Sequence, residues 1–224
     1  MESRVNVAVK VDLRLCVITD AAMIGNRSME QVVVGAIDGG ATLIQYRDKS
    51  ANMSRKYDAA SALRGVVKGK GVPFIVNDHV DLALGVGADG VHLGQDDLPA
   101  AAARRILADD AIVGVSVGSL AKALEAEAAG ADYVSIGPLY ATGTKPDAGP
   151  VVNREVVNEI VRTVNIPVVA IGGIDGSNVA EVMSLGISGV AVVSAVMRAD
   201  DPTRATRAII DSMDMLEPCG DDAI

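Results

Sequence analysis

Short β-branched apolar runs recur along the chain, and a stretch with apolar residues three or four positions apart follows each one. The first pattern is that of a strand buried on both faces. The second is that of an amphipathic helix packed against it. The apolar runs predict strands at 13–19, 43–47, 74–77, 90–93, 112–116, 133–136, 168–171 and 190–193. The periodic stretches predict helices at 28–38, 54–69, 80–85, 100–108, 120–129, 154–163, 178–185 and 203–213. Alternation of the two predicts a parallel α/β sheet. Eight repeats in 224 residues favour a closed (β/α)8 TIM barrel, a single catalytic domain over 13–213. Residues 1–12 read as an N-terminal extension. Residues 214–224 lack periodicity and are expected to be a disordered tail.

A weak repeat supports this division. Gly40-Ala41-Thr42-Leu43, Gly87-Ala88-Asp89-Gly90-Val91, Gly130-Ala131-Asp132-Tyr133-Val134 and Gly186-Ile187-Ser188-Gly189-Val190 each place glycine between a helix-like run and a strand. A helix commonly ends on a residue at positive φ, where glycine carries no steric penalty.

Half the residues are hydrophobic but only 2% are aromatic, with one Phe and no Trp. The core must therefore be built from Val, Ile, Leu and Ala. A net charge of −9 argues against a uniformly basic nucleic-acid binder, although a pocket can be locally basic. Of the two cysteines, Cys16 lies inside an apolar run and reads as a buried thiol, and Cys219 lies in the polar tail. No disulfide framework is implied, and a reducing cytoplasm is the expected location. No run approaches the roughly 20 apolar residues of a membrane helix. The expected partners are small molecules, without nucleic acid or membrane; a homo-oligomer is left open.

In a (β/α)8 barrel the catalytic site lies at the C-terminal ends of the strands, so the chemistry is read from what ends each strand. After the second strand comes Gln45-Tyr46-Arg47-Asp48-Lys49. Side chains alternate in extended backbone, so Gln45, Arg47 and Lys49 share one face and Tyr46 points toward the helices. The third strand ends in Asn77-Asp78 and the fourth in Gly94-Gln95-Asp96-Asp97. Acids at adjacent strand ends, Asp78 with Asp97 or with Asp96 in its place, could converge on a hard cation such as Mg²⁺. They could equally cap the following helices, where Asp is common. The fifth strand ends in Ser116. The sixth leads into a polar loop with Thr142, Thr144 and Lys145, which could fold over a ligand or serve as an ordinary connection. The seventh ends in Gly172-Gly173 and the eighth in Ser194, with Ala195-Val196-Met197 able to begin a short helix. In this fold that combination can form a phosphate site; two adjacent glycines are equally compatible with a simple tight turn. His92 reads as an interior residue bonded to its neighbours and His79 as solvated at a helix start. No Ser-His-Asp or Cys-His arrangement is visible.

Taken in order, these stretches resemble the thiamine phosphate synthase family. The resemblance rests on 45–49, Phe74-Ile75-Val76-Asn77-Asp78, Asp89 through Asp97, Gly114-Val115-Ser116 and Gly130 through Pro138. It continues through Thr142-Gly143-Thr144-Lys145 and Ala170-Ile171-Gly172-Gly173-Ile174, and covers roughly 13–200. It implies condensation of hydroxymethylpyrimidine diphosphate with hydroxyethylthiazole phosphate, releasing pyrophosphate. It implies that Asp78 and Asp97 bind one Mg²⁺ per active site. Arg47, Lys49, Asn77, Ser116 and Lys145 would hold the diphosphate, with Lys145, Arg47, Lys49 and Ser116 acting in catalysis. Thr142, Thr144, Gly173, Val193 and Ser194 would hold the thiazole phosphate, and Gln45 would line the pyrimidine side. Members often carry an aromatic residue early in the first strand, where this chain has Leu15-Cys16.

The implied chemistry suits the inventory. The thiazole nitrogen has a lone pair and no proton to remove, so no strong general base is needed. The departing diphosphate needs cations. Set against the Asp pair, Arg47, Lys49 and Lys145 alone would leave the site undercharged without a metal. A thiazole tautomerase of similar fold, another phosphosugar barrel such as an epimerase, and a non-catalytic phosphate-sensing barrel are the competing readings.

Overall fold

The computed structural model describes residues 11–49, 51–144 and 149–215. Eight parallel strands close into a barrel in sequence order: β1 (Leu15–Ile18), β2 (Leu43–Tyr46), β3 (Phe74–Asn77), β4 (Gly90–Leu93), β5 (Ile112–Val117), β6 (Tyr133–Ile136), β7 (Val168–Ile171) and β8 (Gly189–Val192). The helices between them are α1 (Met29–Asp38), α2 (Met53–Lys68), α3 (Val80–Val86), α4 (Ala100–Ile106), α5 (Leu120–Ala128), α6 (Arg154–Thr163) and α7 (Val179–Met183). After β8 the described residues form α8 (Ser194–Met197) and α9 (Pro202–Asp214). All eight expected strands are present. The first is shorter than its apolar run because ladder pairing to β2 and β8 covers only its centre. A short 3-10 segment at Ala21–Met23, which the sequence pattern does not announce, follows β1.

Local chemistry sets the helix ends. Ser28 and Gln31 form a capping box at the start of α1. Asp201 caps α9, with Pro202 in its first turn. Gly40, Gly87, Gly130 and Gly186 all adopt positive φ, as expected from their places after helices. The repeated motif also has a function that only the closed barrel reveals. The Asp89 carboxylate accepts the Phe74 N–H at 2.7 Å, and that of Asp132 accepts the Val113 N–H at 2.7 Å. The Thr42 hydroxyl accepts the Leu15 N–H at 3.0 Å. In these three copies the polar side chain before a strand thus satisfies the start of the preceding strand. Arg64 and Arg104 pair with the two carboxylates.

Strand alternation divides the core in two. Outward residues such as Leu15, Ile44, Phe74, Val91 and Val134 pack under the helices. Tyr46 joins them, its ring centroid 6.5 Å from that of Phe74. Inward residues Leu13, Cys16, Ile18, Leu43, Ile75, Ile112, Tyr133, Val169 and Ala191 fill the barrel. Burial pushes the Cys16 thiol up to about 12, so it remains an uncharged core group.

The inward positions become polar toward the C-terminal ends. Leu43 gives way to Gln45, Ile75 to Asn77, and Ile112 and Gly114 to Ser116. A polar cavity therefore opens at the end of the barrel where the fold places catalytic groups.

Candidate active site

Gln45, Arg47 and Lys49 line this cavity together, as their alternation along the strand requires. Asn77, Asp78, Ser116, Thr142, Thr144, Gly173, Val193 and Ser194 line the same space. Asp97 stands beside Asp78 at the strand ends. Lys145, expected in the lid loop, lies outside the described residues.

Arg47 is held from both sides. The Thr19 hydroxyl accepts the Arg47 N–H at 2.9 Å and donates to the Arg47 carbonyl at 3.1 Å. The guanidinium lies 3.5 Å from Asp20, and both side chains are largely buried. Thr19→Val keeps the shape but removes both hydrogen bonds. It is expected to cost about 1–2 kcal/mol and to lower the melting temperature by roughly 2–8 °C. If Arg47 holds the pyrimidine diphosphate, as the family resemblance implies, weaker binding of that ligand should accompany this. Thermal denaturation and substrate titration check the prediction, and an unchanged affinity would remove Thr19 from the support of Arg47.

The carboxylates meet in an arrangement that sequence spacing left open. Asp78 adopts φ +66, the one positive φ outside glycine among the described residues. Backbone of this kind in a non-glycine residue is strained and tends to occur at functional sites. Its N–H donates to the His92 carbonyl at 2.8 Å, which ties the strained residue to β4. Lys49 Nζ donates to its carboxylate at 2.6 Å. Burial alone would raise the Asp78 carboxyl, but hydrogen bonds from Lys49 and Asp97 and the charges of Lys49 and His79 bring it below its ordinary value. Asp97 moves the other way, raised by burial and by the neighbouring Asp78 charge. Its carboxylate accepts the Gly94 N–H at 2.7 Å.

Neither acid caps a helix. The N-cap of α3 is His79, without a side-chain bond, and that of α4 is Pro99. The capping alternative is therefore incorrect, because each carboxylate is engaged in the site or its own loop. Asp96 is exposed, and Asp97 is the partner of Asp78. His79 is not simply solvated either: it is half-buried, with its ring 3.0 Å from Lys56 Nζ. His92 is an interior residue bonded through both ring nitrogens, as expected.

Across the cavity, Gly172 and Gly173 have φ of +99 and +67. A Cβ on Gly172 would stand 2.4 Å from Pro138 Cβ, and one on Gly173 2.7 Å from Tyr140 Cβ. The turn and the loop after β6 thus pack backbone on backbone. The Leu139 N–H donates to the Ile171 carbonyl at 3.0 Å and the Tyr140 N–H to the Gly172 carbonyl at 3.1 Å. The Tyr140 hydroxyl donates to Glu181 at 2.7 Å, and Arg154 donates to the other oxygen of Glu181 at 2.5 Å. One carboxylate on α7 thereby joins both stems of the loop that carries Thr142 and Thr144. Beyond Ser194, at the far end of α8, Arg27 donates to the Met197 carbonyl at 2.6 Å and to the Ala199 carbonyl.

Several of these groups have no sequence signal of their role. Asp20, Thr19, Tyr140, Glu181 and Arg27 carry no motif of their own, and Tyr133 stands in the repeated segment 130–134 only as a strand residue; the partners of all six are distant in the chain. For Asp20 and Thr19 alone, position at the end of β1 was an available signal.

Fold and cavity together define a (β/α)8 barrel of the enzymatic type, with cationic groups, paired acids and a glycine turn facing one another at the barrel mouth. The sequence pattern of the family described as thiamine monophosphate synthase matches residues 15–196. The chain is 50% identical over 199 residues to the thiamine-phosphate synthase of Chloroflexus aurantiacus, covering 89% of this chain and 92% of that protein. It is 46% identical over 192 residues to that of Ruminiclostridium cellulolyticum, covering 86% and 91%. The solved thiamine phosphate pyrophosphorylase from Pyrococcus furiosus superposes with a TM-score of 0.83 at 42% identity, covering 92% of this chain and 97% of that one. The chain belongs to the thiamine monophosphate synthase family.

Proposed function

We propose that the chain condenses hydroxymethylpyrimidine diphosphate with hydroxyethylthiazole phosphate, giving thiamine phosphate and pyrophosphate, with Mg²⁺ bound by Asp78 and Asp97. The observation that carries the reading is convergence. Arg47, Lys49, the Asp78 carboxylate and the Gly172-Gly173 turn open onto one cavity. Arg47, Lys49, Asn77, Ser116 and Lys145 take the diphosphate, and Gln45 lines the pyrimidine. Thr142, Thr144, Gly173, Val193 and Ser194 take the thiazole phosphate.

The donor set fits a hard divalent cation. Two carboxylates lie close enough for the charge of Asp78 to raise Asp97, and an ion of this kind uses few carboxylates together with substrate oxygens. When bound, it would neutralise charge on the diphosphate.

The protein's own part is to hold the reactants and stabilise the leaving anion. The bond from the pyrimidine methylene carbon to the diphosphate oxygen breaks, and its electron pair leaves on pyrophosphate. The thiazole nitrogen forms the new C–N bond with its lone pair, becoming a thiazolium without any proton transfer. Arg47 and Lys49 face the oxygens on which negative charge grows, where preorganised cations act most strongly. The apolar lower cavity, formed by residues such as Cys16, Ile18 and Tyr133, excludes water from the methylene carbon.

The deciding assay mixes the protein with both substrates and Mg²⁺. Thiamine phosphate and pyrophosphate should appear in equal amounts, with none when either substrate is omitted. Conversion of a thiazole alone would favour a tautomerase, and binding without turnover would sink the catalytic reading.

A further inference from the structure

A hydrogen-bonded chain runs from the interior of the barrel to the proposed diphosphate site. The Tyr133 hydroxyl lies 2.8 Å from His92 Nδ1, and His92 Nε2 lies 2.8 Å from the Ser116 hydroxyl. The three residues come from β6, β4 and β5. Tyr133 and His92 are both buried, with ring centroids 5.5 Å apart. Gly114 makes the arrangement possible: a Cβ there would stand 2.1 Å from Tyr133 Cζ. The Gln95 side chain donates to the Ser116 carbonyl at 2.7 Å and fixes the backbone at the end of the chain.

We propose that His92 is a positioning residue: Tyr133 holds it as the Nε2–H tautomer, and it thereby makes Ser116 a hydrogen-bond donor to the ligand. The direction follows from counting protons. Among the described residues, His92 is the hydrogen-bond partner of the Tyr133 hydroxyl. A phenol is both donor and acceptor, and a neutral imidazole has one nitrogen of each kind. If Nδ1 carried the proton, Tyr133 would accept it and its own O–H would be left unpaired in the barrel interior, the costlier arrangement. A doubly protonated ring would leave it unpaired as well. Burial, which raises the Tyr133 hydroxyl well above its ordinary value, keeps it protonated as the donor.

With Tyr133 donating to Nδ1, the imidazole proton sits on Nε2 and points at Ser116 Oγ. Ser116 then accepts from the ring, and its own O–H turns toward the cavity it lines. The reverse polarity would turn oxygen lone pairs toward the ligand, which suits a phosphate poorly. The tautomer stands independently of the proposed function, whereas the benefit to the ligand rests on the diphosphate reading of Ser116.

The test begins with ¹⁵N–¹H NMR of the intact chain at neutral pH. There are only two histidines, so His79→Gln assigns both. His92 should show a protonated Nε2 and a bare Nδ1, and Tyr133→Phe should abolish that preference. Kinetics then measure the consequence. His92→Asn should lower kcat/KM for the pyrimidine diphosphate roughly 10-fold and leave KM for thiazole phosphate unchanged. His92→Gln, whose amide N–H can reach the former Nε2 position, should recover most of the loss. The loss should also disappear in a Ser116→Ala background. A proton on Nδ1 or a doubly protonated ring in the native chain overturns the proposal, as does additivity of the His92 and Ser116 effects. Pyrophosphate binding provides the separation: if Ser116→Ala leaves it unchanged while His92 remains Nε2–H, the diphosphate reading fails and the polarity of the chain stands.

Discussion

Asp78→Asn is expected to reduce turnover by roughly 100-fold or more, since loss of even an outer partner of a metal site commonly costs 10–100-fold. Asparagine is a useful replacement here because the backbone at this position has φ +66. Asn tolerates the left-handed region better than most residues, so the turn survives and only the charge is removed. The amide remains within reach of Lys49, which now stands 2.6 Å from the carboxylate, but it is a poorer ligand for a hard cation. Asp97→Asn should act in the same direction, since its side-chain oxygen can still accept the Gly94 N–H. Both variants should keep a near-native melting temperature. Part of each loss should return at high Mg²⁺, and turnover measured across a Mg²⁺ series checks this. Near-normal activity of both variants at limiting Mg²⁺ would remove the metal from this pair.

Gly173→Ala is expected to raise the concentration of thiazole phosphate needed for half-maximal rate by at least about 10-fold, with binding of the pyrimidine diphosphate nearly intact. Two effects combine. A residue with a Cβ pays roughly 1–2 kcal/mol in left-handed backbone, and Gly173 lies at φ +67. The new methyl would also stand 2.7 Å from Tyr140 Cβ and 3.0 Å from the Ala141 carbonyl, contacts that only a shift of the loop relieves. That loop carries Thr142 and Thr144, so the proposed thiazole-phosphate groups move together. Arg47, Lys49 and Asn77 come from β2 and β3 on the other side of the barrel and should be spared. Calorimetric titration of each substrate separates the outcomes. Equal loss of both ligands would mean that the turn has collapsed or that the two halves of the pocket are wrongly divided.

Much of the architecture is local and therefore legible in one dimension. The two-residue alternation of Gln45, Arg47 and Lys49 placed them on one face before any fold was known, and the same alternation sent Tyr46 to the outer core. Glycines after the helix-like runs marked left-handed turns because only the backbone immediately around them matters. The Gly172-Gly173 pair and the residues ending each strand identified the mouth of the barrel for the same reason.

The sequence by itself thus determined the alternation of strands and helices, the inward or outward face of each strand residue, and the set of polar groups brought to one end. Tertiary structure decided which of those groups touch. Spacing could not choose between Asp96 and Asp97 or between capping and convergence, since the answer depends on how the loop after β4 folds against the end of β3. The support of Arg47 by Thr19 and Asp20, the joining of Tyr140 and Arg154 by Glu181, and the Tyr133–His92–Ser116 chain were equally invisible. Each joins residues on different elements. Their distances are set by the stagger between neighbouring strands and the closure of the barrel, quantities that no short window of sequence contains.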